Sequence, residues 1–214
     1  MNHKHFLLCL LLFFLFISQS RAGEDRDEAK QVALTGYKEF LDLCLDPVSK
    51  KQAHLGDEDT PETAVLGAPI ALRLITPDNI RSFRKGQTVA ECSEPIKSFF
   101  FPVLFNNDLK LMMTVDKYEG NDSFSIASLG YDWLARELTA LQKQWPLEKG
   151  YAPVLLMSPQ THYYAVHFPR HDAFNLTVLH AGRNVTYREL TSVEAAMKEY
   201  KEYLDRVMPQ GGDK

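Results

Sequence analysis

The residues best suited to chemistry lie in the C-terminal third, where His162, His167 and His171 fall within ten positions and His180 follows. Neutral imidazole is a ligand for zinc, copper or nickel, so such a cluster raises the question of a metal centre. The spacing argues against one. Side chains alternate along a strand, so His162 and His167, five apart, point to opposite faces, and Phe168 and Pro169 separate His167 from His171. No cysteine stands near to complete a ligand set, and neither a metal nor a cofactor is expected.

Nucleophilic chemistry needs a nucleophile, a base and an orienting group within reach of one another. Cys92 with His162 or His167 would make a thiol hydrolase only if its sulfur were free. Of the three cysteines, Cys9 sits in an apolar leader, and Cys44 and Cys92 remain. In an exported chain these two are expected to form one disulfide, which would stabilise the fold by about 4 kcal/mol on the chain-entropy model. A bridged Cys92 cannot attack. Ser82-Phe83-Arg84-Lys85 reproduces the S-x-x-K spacing of penicillin-binding enzymes, but the chain has no S-D-N or K-T-G partner. It also lacks a G-x-S-x-G elbow, a P-loop, a dinucleotide fingerprint, an H-E-x-x-H pair and a calcium loop. A hydrolytic site would have to be assembled by the fold, for instance from His162, His167, Asp132 and Glu137. Sequons at Asn121, Asn175 and Asn184 are glycosylation acceptors if the chain passes through a eukaryotic secretory pathway.

Positioning these residues falls to a series of short elements. Ala29, Val32, Ala33, Tyr37, Phe40, Leu41 and Cys44 recur at three- and four-residue intervals, which predicts a helix over Asp27 to Cys44. Asp46 to Thr63, with Pro47, Gly56, Asp57-Glu58-Asp59 and Pro61, has no period and reads as an exposed connection. Gly67 to Ile75 reads as a buried strand, and Thr76-Pro77-Asp78 as the cap of a short helix that turns Ile80 and Phe83 inward. Strands are predicted at Lys97 to Phe105, Leu109 to Tyr118 and Ser123 to Leu129, joined by turn-forming residues as antiparallel hairpins. On the second of these, Leu109, Leu111, Met113 and Val115 should share a side.

A helix over Tyr131 to Trp145 follows, with Leu134, Leu138, Leu141 and Trp145 on one face. Strands come next at Tyr151 to Met157, His162 to Phe168 and Phe174 to His180. The last helix begins at a capping box, Thr191-x-x-Glu194, and Val193, Ala196, Met197, Tyr200, Leu204 and Val207 line one of its faces.

These elements define an α+β fold, an antiparallel sheet of about six to seven strands covered by helices. The order strand-strand-strand-helix occurs twice, without residue identity between the parts, so two similar halves are a further expectation. The organisation is a signal peptide over 1–22, an N-terminal helix and exposed linker over 23–66, an α+β domain over 67–208 and a flexible tail over 209–214.

Export follows from the first 22 residues. Lys4 precedes twelve uninterrupted apolar residues, Phe6 to Ile17, and Ser20-Arg21-Ala22 offers small residues at −3 and −1 for a signal peptidase. A span needs about 20 apolar residues, so this stretch is read as a leader and not as an anchor. Without Lys4 and Arg21, the chain from Gly23 carries 22 basic and 28 acidic residues, a net charge of −6. Such a surface repels phosphate, and no basic run with interleaved aromatics occurs, which excludes nucleic acid as an expected partner.

With 45% apolar and 24% charged residues, the composition is that of an ordinary globular chain. Phe99 to Phe101 and Val103 to Phe105 are apolar on both sides of one strand, as are Tyr163 and Tyr164 on another, which fits either a central strand or an apolar groove. The expected function is therefore a secreted or periplasmic, non-catalytic binding protein for a protein, peptide or apolar small ligand. The alternatives are an exported hydrolase with a dispersed site and a structural subunit of an envelope or extracellular assembly.

Overall fold

A computed structural model describes residues 3–118, 120, 122–158, 163–169, 173–180, 183–186 and 190–208. The α+β class is observed. The chain runs from α1 (His3–Cys44) and α2 (Pro47–Gln52) into β1 (Ala64–Leu66), β2 (Ile70–Leu74) and α3 (Pro77–Ser82). It continues through β3 (Glu94–Phe105), β4 (Asp108–Asp116), β5 (Ser125–Gly130) and α4 (Asp132–Gln144). The last part holds β6 (Val154–Ser158), β7 (Tyr163–Phe168), β8 (Ala173–His180), β9 (Arg183–Thr186), β10 (Thr191–Ser192) and α5 (Val193–Val207).

One sheet collects the strands in the order β10-β8-β7-β6-β2-β3-β4-β5, with β1 added on β3 and β9 on β8. Seven of these strands are five residues or longer, and β1, β9 and β10 are two to four residues. Two antiparallel meanders, β3-β4-β5 and β6-β7-β8, are joined at the centre by β2, which pairs antiparallel with β3 and parallel with β6. The β3-β4 hairpin closes tightly because Asn106 and Asn107 both take positive φ, 51° and 67°, the conformation a two-residue primed turn demands and asparagine tolerates. Each meander is followed by a helix, yet the two helices cover opposite faces. On β6, Leu155 packs with α4 while its neighbour Leu156 packs with α5.

Strand alternation divides the core in three. Phe99, Phe101, Val103 and Phe105 of β3 pack on α1 with Ala29, Ala33 and Leu41. Phe100 and Met112 face the other way, under Leu134, Leu138 and Leu141 of α4. On the α1 side of the second meander, α5 and α3 bury Tyr200, Met197 and Ile80 against Leu156 and Ala165. β3 is thus a central strand covered on both faces, as its unbroken apolar run requires.

Several expectations change. Asp46 to Thr63 is not a bare exposed connection: Asp46 caps α2 by accepting from Val48 and Ser49. Within the same stretch Asp59 is fully buried, held by Lys110 Nζ at 2.7 Å and by the Gly56 N–H at 2.8 Å. The strand foreseen from Gly67 to Ile75 is shortened to β2, Ile70–Leu74, and a separate β1 precedes it at Ala64–Leu66, with Gly67 between them donating its N–H to Pro102 O at 2.8 Å.

A register shift in the β3-β4 ladder between Val103 and Leu104 turns Leu109 to the α4 face, away from Leu111, Met113 and Val115. The final helix is capped by Ser192, whose hydroxyl accepts from Ala195 N, and Glu194 instead accepts from Gly86 N. The expected Cys44–Cys92 disulfide is absent, because only Cys92 belongs to the core and Cys44 lies half-buried elsewhere. Cys92 is buried with Ile75 and Tyr200, whereas Cys44 ends α1 beside a cleft shared with Leu111 and Leu129.

Burial raises both thiols above their ordinary range, and at Cys92 the Arg73 guanidinium opposes that rise in part. Both are therefore weak nucleophiles at neutral pH. In denatured, unreduced protein Cys44 and Cys92 are expected to titrate with a thiol reagent, and in native protein Cys92 is expected to resist alkylation. Recovery of a peptide containing both residues in disulfide linkage would contradict the free-thiol arrangement.

Candidate functional site

The parallel pairing of β2 with β6 begins only at Leu72 and Leu155. Ahead of those residues the two strands diverge, Pro69 to Ala71 on one side and Ala152 to Val154 on the other, and both segments line a groove of about 590 Å³. Proline weakens the seam here. Pro69 and Pro153, which stand just ahead of the paired residues on the two sides, have no N–H to give a ladder and so remove two of the donors that could extend the seam.

Pro102 and Leu104 of β3 and Leu109 of β4 form another wall. They share the α4 face, but α4 ends at Gln144, and a 3-10 turn at Leu147–Lys149 carries the chain past the groove with Leu147 and Gly150 on its rim. Leu147 is an exposed large apolar residue. Among the described lining residues, only Arg26 and Gln142 carry polar side chains. Arg26 projects from α1, and its Nη2 donates to Pro69 O at 3.4 Å, a long contact. Gly67 has no room for a side chain, since an added Cβ would stand 2.9 Å from Pro102 Cβ.

The groove's volume falls in the range of ligand sites that are apolar with a few placed polar groups. It can exclude water from an apolar molecule and orient one polar group on it. No described lining residue is a carboxylate, histidine, serine or cysteine, so the groove itself supplies no nucleophile and no acid-base pair.

The sequence-predicted chemical residues are not brought together there. His167 is buried on β7, on the face of Ala165, so the sheet separates it from Asp132 and Glu137 on α4. Asp132 is bonded to Arg136 and lines the smaller cleft with Cys44. Ser82 ends α3 and donates to Asp78 O at 2.7 Å. His162, His171, Asn121 and the tail over 209–214 lie outside the described residues, and Asn175 and Asn184 fall on β8 and β9.

Beyond the groove, Phe100, Tyr131, Trp133 and Tyr164 form a chain of edge-to-face rings with centroids 5.1, 6.2 and 5.4 Å apart. Burial, with Tyr131 adjacent, pushes the Tyr164 hydroxyl up to about 12, so it stays protonated at neutral pH and acts as packing. Arg73 is also structural. It donates to Ser93 Oγ at 2.7 Å and to the Ala90 and Ser93 carbonyls, which holds the segment after α3 against β2.

Sequence reasoning missed the groove because its walls come from segments far apart, each unremarkable alone. The available signal was proline near two predicted strand starts, at Pro69 and Pro153, with a third inside a predicted strand at Pro102. Comparison with known proteins finds no match, whether among family models, curated proteins or solved structures. Among the described residues no helix is long and apolar enough to cross a membrane.

Proposed function

We propose that the protein is an exported, non-catalytic binding protein that takes a small apolar molecule in the wedge between β2 and β6. The leader-like Phe6 to Ile17 run supports export. The reading is carried by the groove of about 590 Å³ at the seam of two meanders, whose described lining is apolar except for Arg26 and Gln142 and includes Pro69 and Pro153 at the diverging strand ends. Preformed walls matter energetically, because a site that is already open spends little binding free energy on ordering itself.

A neutral fluorescent probe, N-phenylnaphthylamine, tests the reading. Native protein is expected to bind it saturably. Ala152→Trp, at an exposed lining position, is expected to weaken binding at least about tenfold by filling the groove, with thermal stability unchanged. Absence of binding by the native protein, or equal binding by the variant, would contradict it.

A further inference from the structure

We propose that the groove selects an apolar carboxylate, a molecule with a hydrocarbon body and one anionic head, and that Arg26 is the counter-ion for that head. The inference rests on the groove reading above and adds to it the chemical class of the ligand. Among the described lining residues Arg26 is the sole charged side chain, and no carboxylate opposes an incoming anion.

The nearest acids in the sequence are directed elsewhere. Asp25 pairs with Lys97 at 3.8 Å and Glu28 with Lys117 at 3.3 Å, while Glu24 and Asp27 face water and do not line the groove. Guanidinium presents five donors in a planar fork. The long contact to Pro69 O uses one nitrogen, which leaves donors for the two oxygens of a carboxylate. Hydrocarbon in the wedge would lower the local dielectric beside Arg26 and strengthen that pairing relative to an exposed ion pair. The apolar walls and the single cation thus complement the two ends of one amphiphile. Gln142, the other polar side chain on the wall, is neutral and does not counter the charge.

Titration calorimetry with dodecanoate and its uncharged counterpart dodecanol, both below their aggregation limits, tests this. Wild-type protein is expected to bind dodecanoate about tenfold more tightly than dodecanol. Arg26→Gln is expected to abolish that preference by weakening dodecanoate binding about tenfold, so that the two ligands bind the variant alike. Equal affinities in wild type would overturn the assignment of Arg26 while leaving the groove reading intact. Loss of both ligands in the variant would also overturn it, by showing that Arg26 acts through the shape of the groove. Binding of neither ligand by wild type would overturn the groove reading itself.

Discussion

Lys110→Met is expected to lower the free energy of unfolding by about 3 kcal/mol, the cost of leaving a buried carboxylate without its cation. Asp59 is inaccessible to solvent, and its two oxygens lie 3.0 and 2.7 Å from Lys110 Nζ, with a further bond from the Gly56 N–H. The pair ties the segment between α2 and β1 to the start of β4. Methionine fills a similar volume and keeps the apolar stem, so the change isolates the charge. Chemical denaturation of Lys110→Met, Asp59→Asn and the double variant forms a cycle. The double variant is expected to lose less than the sum of the single variants, since each single change strands a partner. A loss below about 1 kcal/mol in Lys110→Met would show that the pair behaves as an exposed one.

Phe100→Ala is expected to cost about 4 kcal/mol, through lost burial and the cavity left behind. Phe100 is 1% exposed on the central strand, packs under α4 and meets the Tyr131 ring edge-on at 5.1 Å. Neighbouring strands and α4 confine the vacated space on all sides, so collapse around a smaller side chain is limited. Leu43→Ala is the control: at 77% exposure it is expected to change stability by no more than about 0.5 kcal/mol. A Phe100→Ala loss no larger than that of Leu43→Ala would contradict the packing of β3 between two helical layers.

Much of the fold was legible in local pattern. The period of Ala29, Ala33 and Leu41 marks the buried face of α1. Thr76-Pro77 marks the start of α3, where Thr76 and Asn79 form a reciprocal capping box. Leu134, Leu138 and Leu141 mark the inner face of α4. Pairing between distant segments was not legible. Nothing local to Leu72 or Leu155 indicates that they meet in parallel, because parallel register is set by tertiary contact.

The acidic run Asp57-Glu58-Asp59 reads as solvated, and only the arrival of Lys110 from β4 makes burial of Asp59 tolerable. The disulfide expectation was economical arithmetic on two cysteines, and placement of Cys92 in the core and Cys44 beside a cleft at the end of α1 overrules it. The groove escaped for the same reason as the parallel pair. Its walls belong to β2, β3, β4, β6 and the turn after α4, with Arg26 from α1 and Gln142 from α4, and no segment taken alone carries a local pattern that marks a shared cavity.

Methyl-resolved NMR with a neutral apolar ligand locates the binding surface directly. Shift changes are expected at Ile70, Leu104, Leu109, Leu147 and Val154, which line the wedge, and not at Leu34, Leu43 and Val48, which are exposed on α1 and α2. Changes at the second set with none at the first, or no changes at saturating ligand, would contradict the wedge between β2 and β6 as the functional site.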